Sequence, residues 1–174
     1  MKKIIVFTLV AFFTSSLVIA QDEPKFKFSA GPELLIATGS FSNFSSFGMG
    51  ATGQVEIKLQ DKLYGIGTSG IIFYNGKSIT GTSTKQTGPT IIPVKVGAKY
   101  FLAGGVYGAA QIGVGFISNN INFNGTSFAY SPLILGYEFK TKSDKAIDAA
   151  IKYDAYSGSG GTIGTIGARV AYIF

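Results

Sequence analysis

Between residues 26 and 174 the chain keeps alternating apolar residues with polar or small ones, and its charges fall on one phase of that alternation. The stretch Phe47–Gln60 is the clearest case. Phe47, Met49, Ala51, Gly53, Val55, Ile57 and Leu59 interleave strictly with Gly48, Gly50, Thr52, Gln54, Glu56, Lys58 and Gln60. A period of two belongs to a β-strand, whose successive side chains point to opposite faces. Such a strand has one apolar face and one face that carries ions. The chain must therefore build a sheet whose two sides differ chemically.

Eight runs of this kind can be traced. Phe26–Thr38 sets Phe26, Phe28, Ala30, Leu34 and Ile36 against Lys27, Ser29, Gly31 and Glu33. After Phe47–Gln60 comes Leu63–Tyr74, which holds apolar residues and glycine on both phases, so periodicity leaves its register open. Residues 92–100 oppose Ile92, Val94, Val96, Ala98 and Tyr100 to Pro93, Lys95, Gly97 and Lys99. Residues 106–116 oppose Val106, Ala110, Ile112, Val114 and Phe116 to Tyr107, Gln111, Gly113 and Gly115. In 128–140, Leu133, Leu135, Tyr137 and Phe139 face away from Ile134, Gly136, Glu138 and Lys140. In 147–155, Ile147, Ala149, Ile151, Tyr153 and Ala155 face away from Asp148, Ala150, Lys152 and Asp154. The last run, 162–174, puts Gly164, Ile166, Ala168, Val170, Tyr172 and Phe174 on one face and Ile163, Thr165, Gly167, Arg169, Ala171 and Ile173 on the other.

The connections alternate too. Segments 39–46, 75–88, 118–126 and 157–161 are the longer ones, rich in Gly, Ser, Thr and Asn, whereas 60–62, 103–105 and 141–144 are tight turns. Long loops at one end and tight turns at the other predict an up-and-down barrel of eight antiparallel strands. The even strand count puts both ends of the barrel chain on the tight-turn side.

The amino-terminal stretch reads differently. Lys2 and Lys3 precede an apolar run from Ile4 to Phe13 and a small-residue exit ending at Ala20. This pattern predicts a cleavable secretory leader over 1–20 and a mature domain over 21–174. The apolar run is too short for a spanning helix, which needs about 20 residues.

Composition removes several function classes. The chain has neither Cys nor His, so thiol chemistry, disulfides, Cys- or His-based metal sites and a histidine-activated nucleophile are all unavailable. No metal and no cofactor are expected. The net charge is +6, or +4 without Lys2 and Lys3, but no basic cluster marks a nucleic-acid partner. The glycine pairs and the stretch 158–161 lack the following helix and lysine of a phosphate loop, and turn chemistry explains them.

Alternation alone fits a soluble barrel with its apolar face inward or a membrane barrel with that face outward. Two features favour the membrane barrel. The apolar faces of seven of the eight runs are free of charge over about five positions or more, matching a lipid-facing band on strands of ~9–11 residues. The opposite faces collect Glu33, Glu56, Glu138, Asp148 and Asp154 against Lys58, Lys95, Lys99, Lys152 and Arg169. Five acids against five bases is the balance that a confined interior requires, because an unpaired buried ion costs several kcal/mol in desolvation. Arg169 is expected to meet Asp148, Asp154 or Glu33. Phe26, Phe28, Tyr100, Phe139, Tyr172 and Phe174 fall near the tight-turn ends, and Phe47, Phe73, Tyr74, Phe116, Phe128, Tyr153 and Tyr156 near the long-loop ends, banded as interfacial anchors are.

Together with the leader and the aromatic ending Tyr172–Ile173–Phe174, the chain resembles the small bacterial outer-membrane β-barrels of the OmpA/OmpX-like kind. The resemblance is one of architecture over residues 26–174 and involves no diagnostic motif. It implies an all-β, eight-stranded transmembrane barrel in the outer membrane of a Gram-negative bacterium. It further implies contact with outer-membrane lipid and recognition of Tyr172 and Phe174 by the barrel assembly machinery. Three functions remain open: a non-catalytic barrel whose long loops serve structural or surface-ligand roles, a narrow channel for ions or small solutes, and a soluble lipocalin-like carrier.

Overall fold

The computed structural model describes residues 26–77, 88–118, 125–141, 145–159 and 161–174. The expected leader lies outside them. Eight strands follow in order: β1 (Phe26–Thr38), β2 (Phe47–Gln60), β3 (Leu63–Tyr74), β4 (Thr90–Ala103), β5 (Val106–Ser118), β6 (Gly125–Lys140), β7 (Ala146–Gly158) and β8 (Gly161–Ile173). Each pairs antiparallel with its sequence neighbours. β1 closes the ring on β8, with Glu33 opposite Arg169 and Leu34 opposite Ala168. The architecture is a closed up-and-down barrel, which leaves no sheet edge unpaired.

The chain folds this way because alternation and turn chemistry agree. Asp61 and Lys62 make the β2–β3 turn, with Lys62 in the left-handed region at φ 66°, and Gly104 takes φ 56° in the β4–β5 turn. At the other end a 3₁₀ helix, Gly39–Asn43, fills the first long connection and turns Phe41 into the barrel mouth. That segment reads in sequence as a featureless polar break.

The two faces are inverted relative to a soluble protein. Outward apolar side chains such as Leu34 (63%), Ile36 (65%) and Ile151 (60%) are open, while inward Lys99 and Asp154 are 0% exposed. Pairing also sets the register that periodicity left open in β3. Gln54 stands opposite Thr68 and Glu56 opposite Ile66, which sends Ile66, Thr68, Ile72 and Tyr74 inward. Inward glycines make room for large neighbours. A Cβ at Gly136 would lie 2.3 Å from the Tyr107 ring, and one at Gly48 would lie 2.6 Å from Tyr74.

The aromatic banding needs two corrections. Phe26, Phe28, Tyr100, Phe139, Tyr172 and Phe174 do ring the tight-turn end on the outside, as Phe47, Phe73, Phe116 and Phe128 do at the long-loop end. Tyr74 and Tyr156, however, point inward and are buried. Tyr156 shares the phase of Asp154, so alternation itself sends it inside.

Candidate functional site

The barrel interior is lined by buried side chains stacked in tiers. Nearest the long loops, Leu35, Ala37, Phe41, Ile72, Tyr74, Ile91, Ile117, Ala129, Tyr156 and Ile163 form one apolar cluster. Phe41, from the 3₁₀ helix, meets Tyr74 edge-on with ring centres 5.2 Å apart. Towards the tight turns, Tyr107, Ile134 and Ala150 form a second cluster with Phe101 and Ala109 against it.

Below the first cluster and alongside the second, with Ile134 opposite Lys152 and Ala150 opposite Arg169, runs a continuous ionic tier. Lys95 Nζ donates to Asp154 Oδ1 at 2.8 Å, and Asp154 Oδ2 lies 3.0 Å from Lys152 Nζ. Lys152 donates to Glu33 Oε2 at 2.7 Å, and Glu33 Oε1 is 3.8 Å from Arg169 Nε. Arg169 Nη1 reaches Asp148 Oδ1 at 3.5 Å, and Asp148 Oδ2 is 3.5 Å from Lys99 Nζ. Lys99 also donates to Glu56 at 2.9 Å and to Glu138 Oε1, and Glu138 Oε2 accepts from Lys27 at 3.4 Å. Along this path the sign alternates at every step. Each ion is thus flanked by opposite charge, the arrangement that offsets burial best.

Neutral groups meet several of the remaining valences, although Glu56 Oε2 is buried without a hydrogen-bond partner. Thr52 Oγ1 donates to Glu33 at 2.6 Å and accepts from Arg169 Nε at 3.0 Å, while Arg169 Nη2 donates to Ser29 Oγ at 3.0 Å. Gln54 donates to Glu56, Thr68 donates to Gln54, and Gln111 donates to Thr68. Aromatic faces complete the lower end. Lys99 Nζ sits 4.0 Å from the centre of the Tyr107 ring, and Lys27 Nζ sits 5.1 Å from that of Tyr64.

Of the ten charged residues expected inside, Glu33, Glu56, Lys95, Lys99, Glu138, Asp148, Lys152, Asp154 and Arg169 are placed there, each buried. Lys58 is a correction. It has the inward phase but stands at the end of β2, beside the irregularity at Lys58/Gln60. Its side chain is 48% exposed and 3.9 Å from exposed Asp61. Phase assigns a face, not a depth. Lys27 supplies the fifth cation instead, with its side chain 32% exposed at the tight-turn mouth. Its shared phase with Glu33 was the signal for it. Arg169 meets Glu33 and Asp148, two of its three expected partners.

This chemistry is that of closure. Ser131 Oγ donates to Asp154 Oδ1 and accepts from Lys95 at 2.7 Å, a grouping that could activate a hydroxyl, yet Ser131 is wholly buried. Among the described residues no cluster of three or more carboxylates is disposed to hold a metal. The carboxylates are already held by ammonium and guanidinium groups.

A closed wall of eight strands, apolar outside and ionic inside, is the fold of the small outer-membrane β-barrels. Solved structures agree. The attachment invasion locus protein Ail of Yersinia pestis superposes with a TM-score of 0.61 at 14% identity, over 87% of this chain and 99% of that one. Neisserial surface protein A gives 0.58 at 13% identity, over 85% and 94%. Ail has also been crystallised with the heparin analogue sucrose octasulfate, a structure that superposes at 0.56 and 14% identity over 87% and 99%. No family model and no curated protein matches the chain by sequence.

Proposed function

We propose that this chain is an integral outer-membrane barrel of a Gram-negative bacterium, non-catalytic and non-conducting, that acts as a structural anchor presenting its long loops outside the cell. One observation carries the reading: a sign-alternating ionic core capped by an apolar plug, all inside a wall whose outer face is apolar. Strands are long enough to cross a hydrocarbon layer, and the girdles stand at both ends of the apolar band. A soluble carrier would need an apolar cavity, and here ions and side chains fill the interior. A channel would need a water path, and Leu35, Phe41, Ile72, Ile91 and Ile163 stand across it.

The loops favour adhesion-like contact with a neutral surface glycan. In the long connections the sequence offers only Lys77 and Lys85 as cations, amid Ser, Thr, Asn and Phe. Lys77 already donates to the Ser42 carbonyl at 2.6 Å. A highly sulfated ligand of the kind bound to Ail would find few cations here.

The carboxy-terminal strand serves as the signal for the assembly machinery. Tyr172 and Phe174 stack edge-on outside the wall, ring centres 5.3 Å apart, and Phe174 N–H donates to the Phe28 carbonyl at 2.8 Å. Deleting Phe174 is expected to impair insertion in cells more than Arg169→Ala does, and normal insertion of both would contradict the role. The membrane reading itself is tested by gel mobility of the detergent-extracted protein with and without heating, where a barrel shifts. Reproducible conductance steps in a planar bilayer would overturn the closed interior.

A further inference from the structure

We propose that the tight-turn rim of the barrel binds anionic phospholipid headgroups at two sites on opposite sides of the ring. The proposal rests on the membrane reading above. Its basis is a segregation of charge. Among the described residues every acid except Asp61 lies in the interior. Among the described residues the exposed lysines are Lys58, Lys62, Lys77, Lys140 and Lys145, and all of these but Lys77 stand at the tight-turn rim. Interior charges cancel, so the outer surface carries the excess, and it carries most of it at one end.

Those four lysines are grouped in pairs. Lys58 and Lys62 flank the β2–β3 turn, whereas Lys140 and Lys145 flank the β6–β7 turn. In the closed order β1 to β8 these turns lie half a circumference apart. The third tight turn, at Gly104 and Gly105, has no charge. Asp61, its side chain 96% exposed and 3.9 Å from Lys58, offsets one charge of the first pair and leaves that turn with a net +1. In the sequence Lys142 and Asp144 offset each other within the second turn.

Height matches as well. Lys140 follows girdle residue Phe139, Lys145 Nζ lies 5.8 Å from the centre of the Tyr172 ring, and Lys58 precedes exposed Leu59. Lys145 lies against the outer girdle. Lys58 and Lys140 start from the inward phase and are exposed at the open rim, where a flexible apolar stem carries the ammonium past the strand end to the headgroup phosphates. Phosphatidylglycerol-type headgroups supply the net negative charge, which zwitterionic headgroups lack.

The test uses the full barrel folded into phosphatidylcholine vesicles with spin-labelled phosphatidylglycerol or phosphatidylcholine as reporter. At low salt the native chain is expected to hold the anionic reporter at its surface about fivefold over the neutral one. K58Q/K62Q and K140Q/K145Q should each lose part of that preference, additively because the turns are far apart. The fourfold variant should lose it, and K77Q should keep it. No preference in the native chain, or an equal loss in K77Q, would overturn the proposal. Salt gives a second reading on the unmodified protein: raising it to about 1 M shortens screening to ~3 Å and should abolish the preference, and persistence would overturn the proposal even if the fourfold variant did not fold. Unheated gel mobility separates the two ideas. A barrel that inserts without lipid preference sinks this proposal alone, whereas a chain that inserts in neither lipid sinks the membrane reading.

Discussion

The ionic tier and the apolar plug occupy the same barrel, one above the other, yet they hold it together on opposite terms. In the plug, Phe41, Tyr74 and Ile72 contribute by filling space, so a truncation costs roughly what the missing contacts supplied. In the ionic tier each group is tolerated only because its neighbours are present. Removing one charge there strands its partners in a medium that cannot hydrate them, and the loss exceeds anything the pair added. Burial is equal in the two tiers, but sensitivity is not.

The largest effect should therefore come from Lys99, which answers Glu56, Glu138 and Asp148 at once. Lys99→Met is expected to destabilise the barrel by about 3–5 kcal/mol, read as a lowered denaturant midpoint of the unheated gel band. A midpoint equal to the native one would remove the contrast between the tiers. Next is Phe41→Ala, which opens space in the plug and should cost about 3 kcal/mol, somewhat less if the short 3₁₀ helix closes over the gap. A cost above that of Lys99→Met would reverse the comparison. Smaller still is the double change Lys95→Met with Asp154→Leu. Each single change should be costly, but the pair should recover most of the loss, with only Lys152 and Ser131 left to adjust. A double variant as unstable as the sum of the singles would show that the tier acts as separate ions. The smallest effect belongs to Lys58→Ala at the exposed rim, within about 0.5 kcal/mol in uncharged detergent. A larger loss would mean that Lys58 belongs to the interior after all.

Much of this was legible in the sequence because a period of two records which face a residue takes. The eight strands, the alternation of long and tight connections and the inward phase of Glu33, Asp154 and Arg169 all follow from it. The run Leu63–Tyr74 was not legible by itself, since Ile66 and Ile72 on one phase compete with Ile71 and Phe73 on the other. Only its pairing with β2 decides. Depth was equally hidden. Lys58 and Lys27 both carry the inward phase, and which of them joins the network depends on how far each strand end reaches past the core. The Phe41 plug had no periodic signal, because a single buried ring in a serine-rich connection looks like any other loop residue.

The ionic path also bears on how the barrel forms. Lys152 meets Glu33 across 119 positions of sequence, and Arg169 meets Ser29 across 140. Neither contact exists in a hairpin or in any open array of consecutive strands, so both await the meeting of β1 with β8. Contacts of such long range come late. The tier is then a latch, engaged after the wall has assembled and holding it shut. Its variants are expected to reopen the barrel faster while leaving its closure rate nearly unchanged. Unfolding and refolding rates of Lys152→Met in detergent would show this, and a slowed refolding limb would mean that the charges meet early.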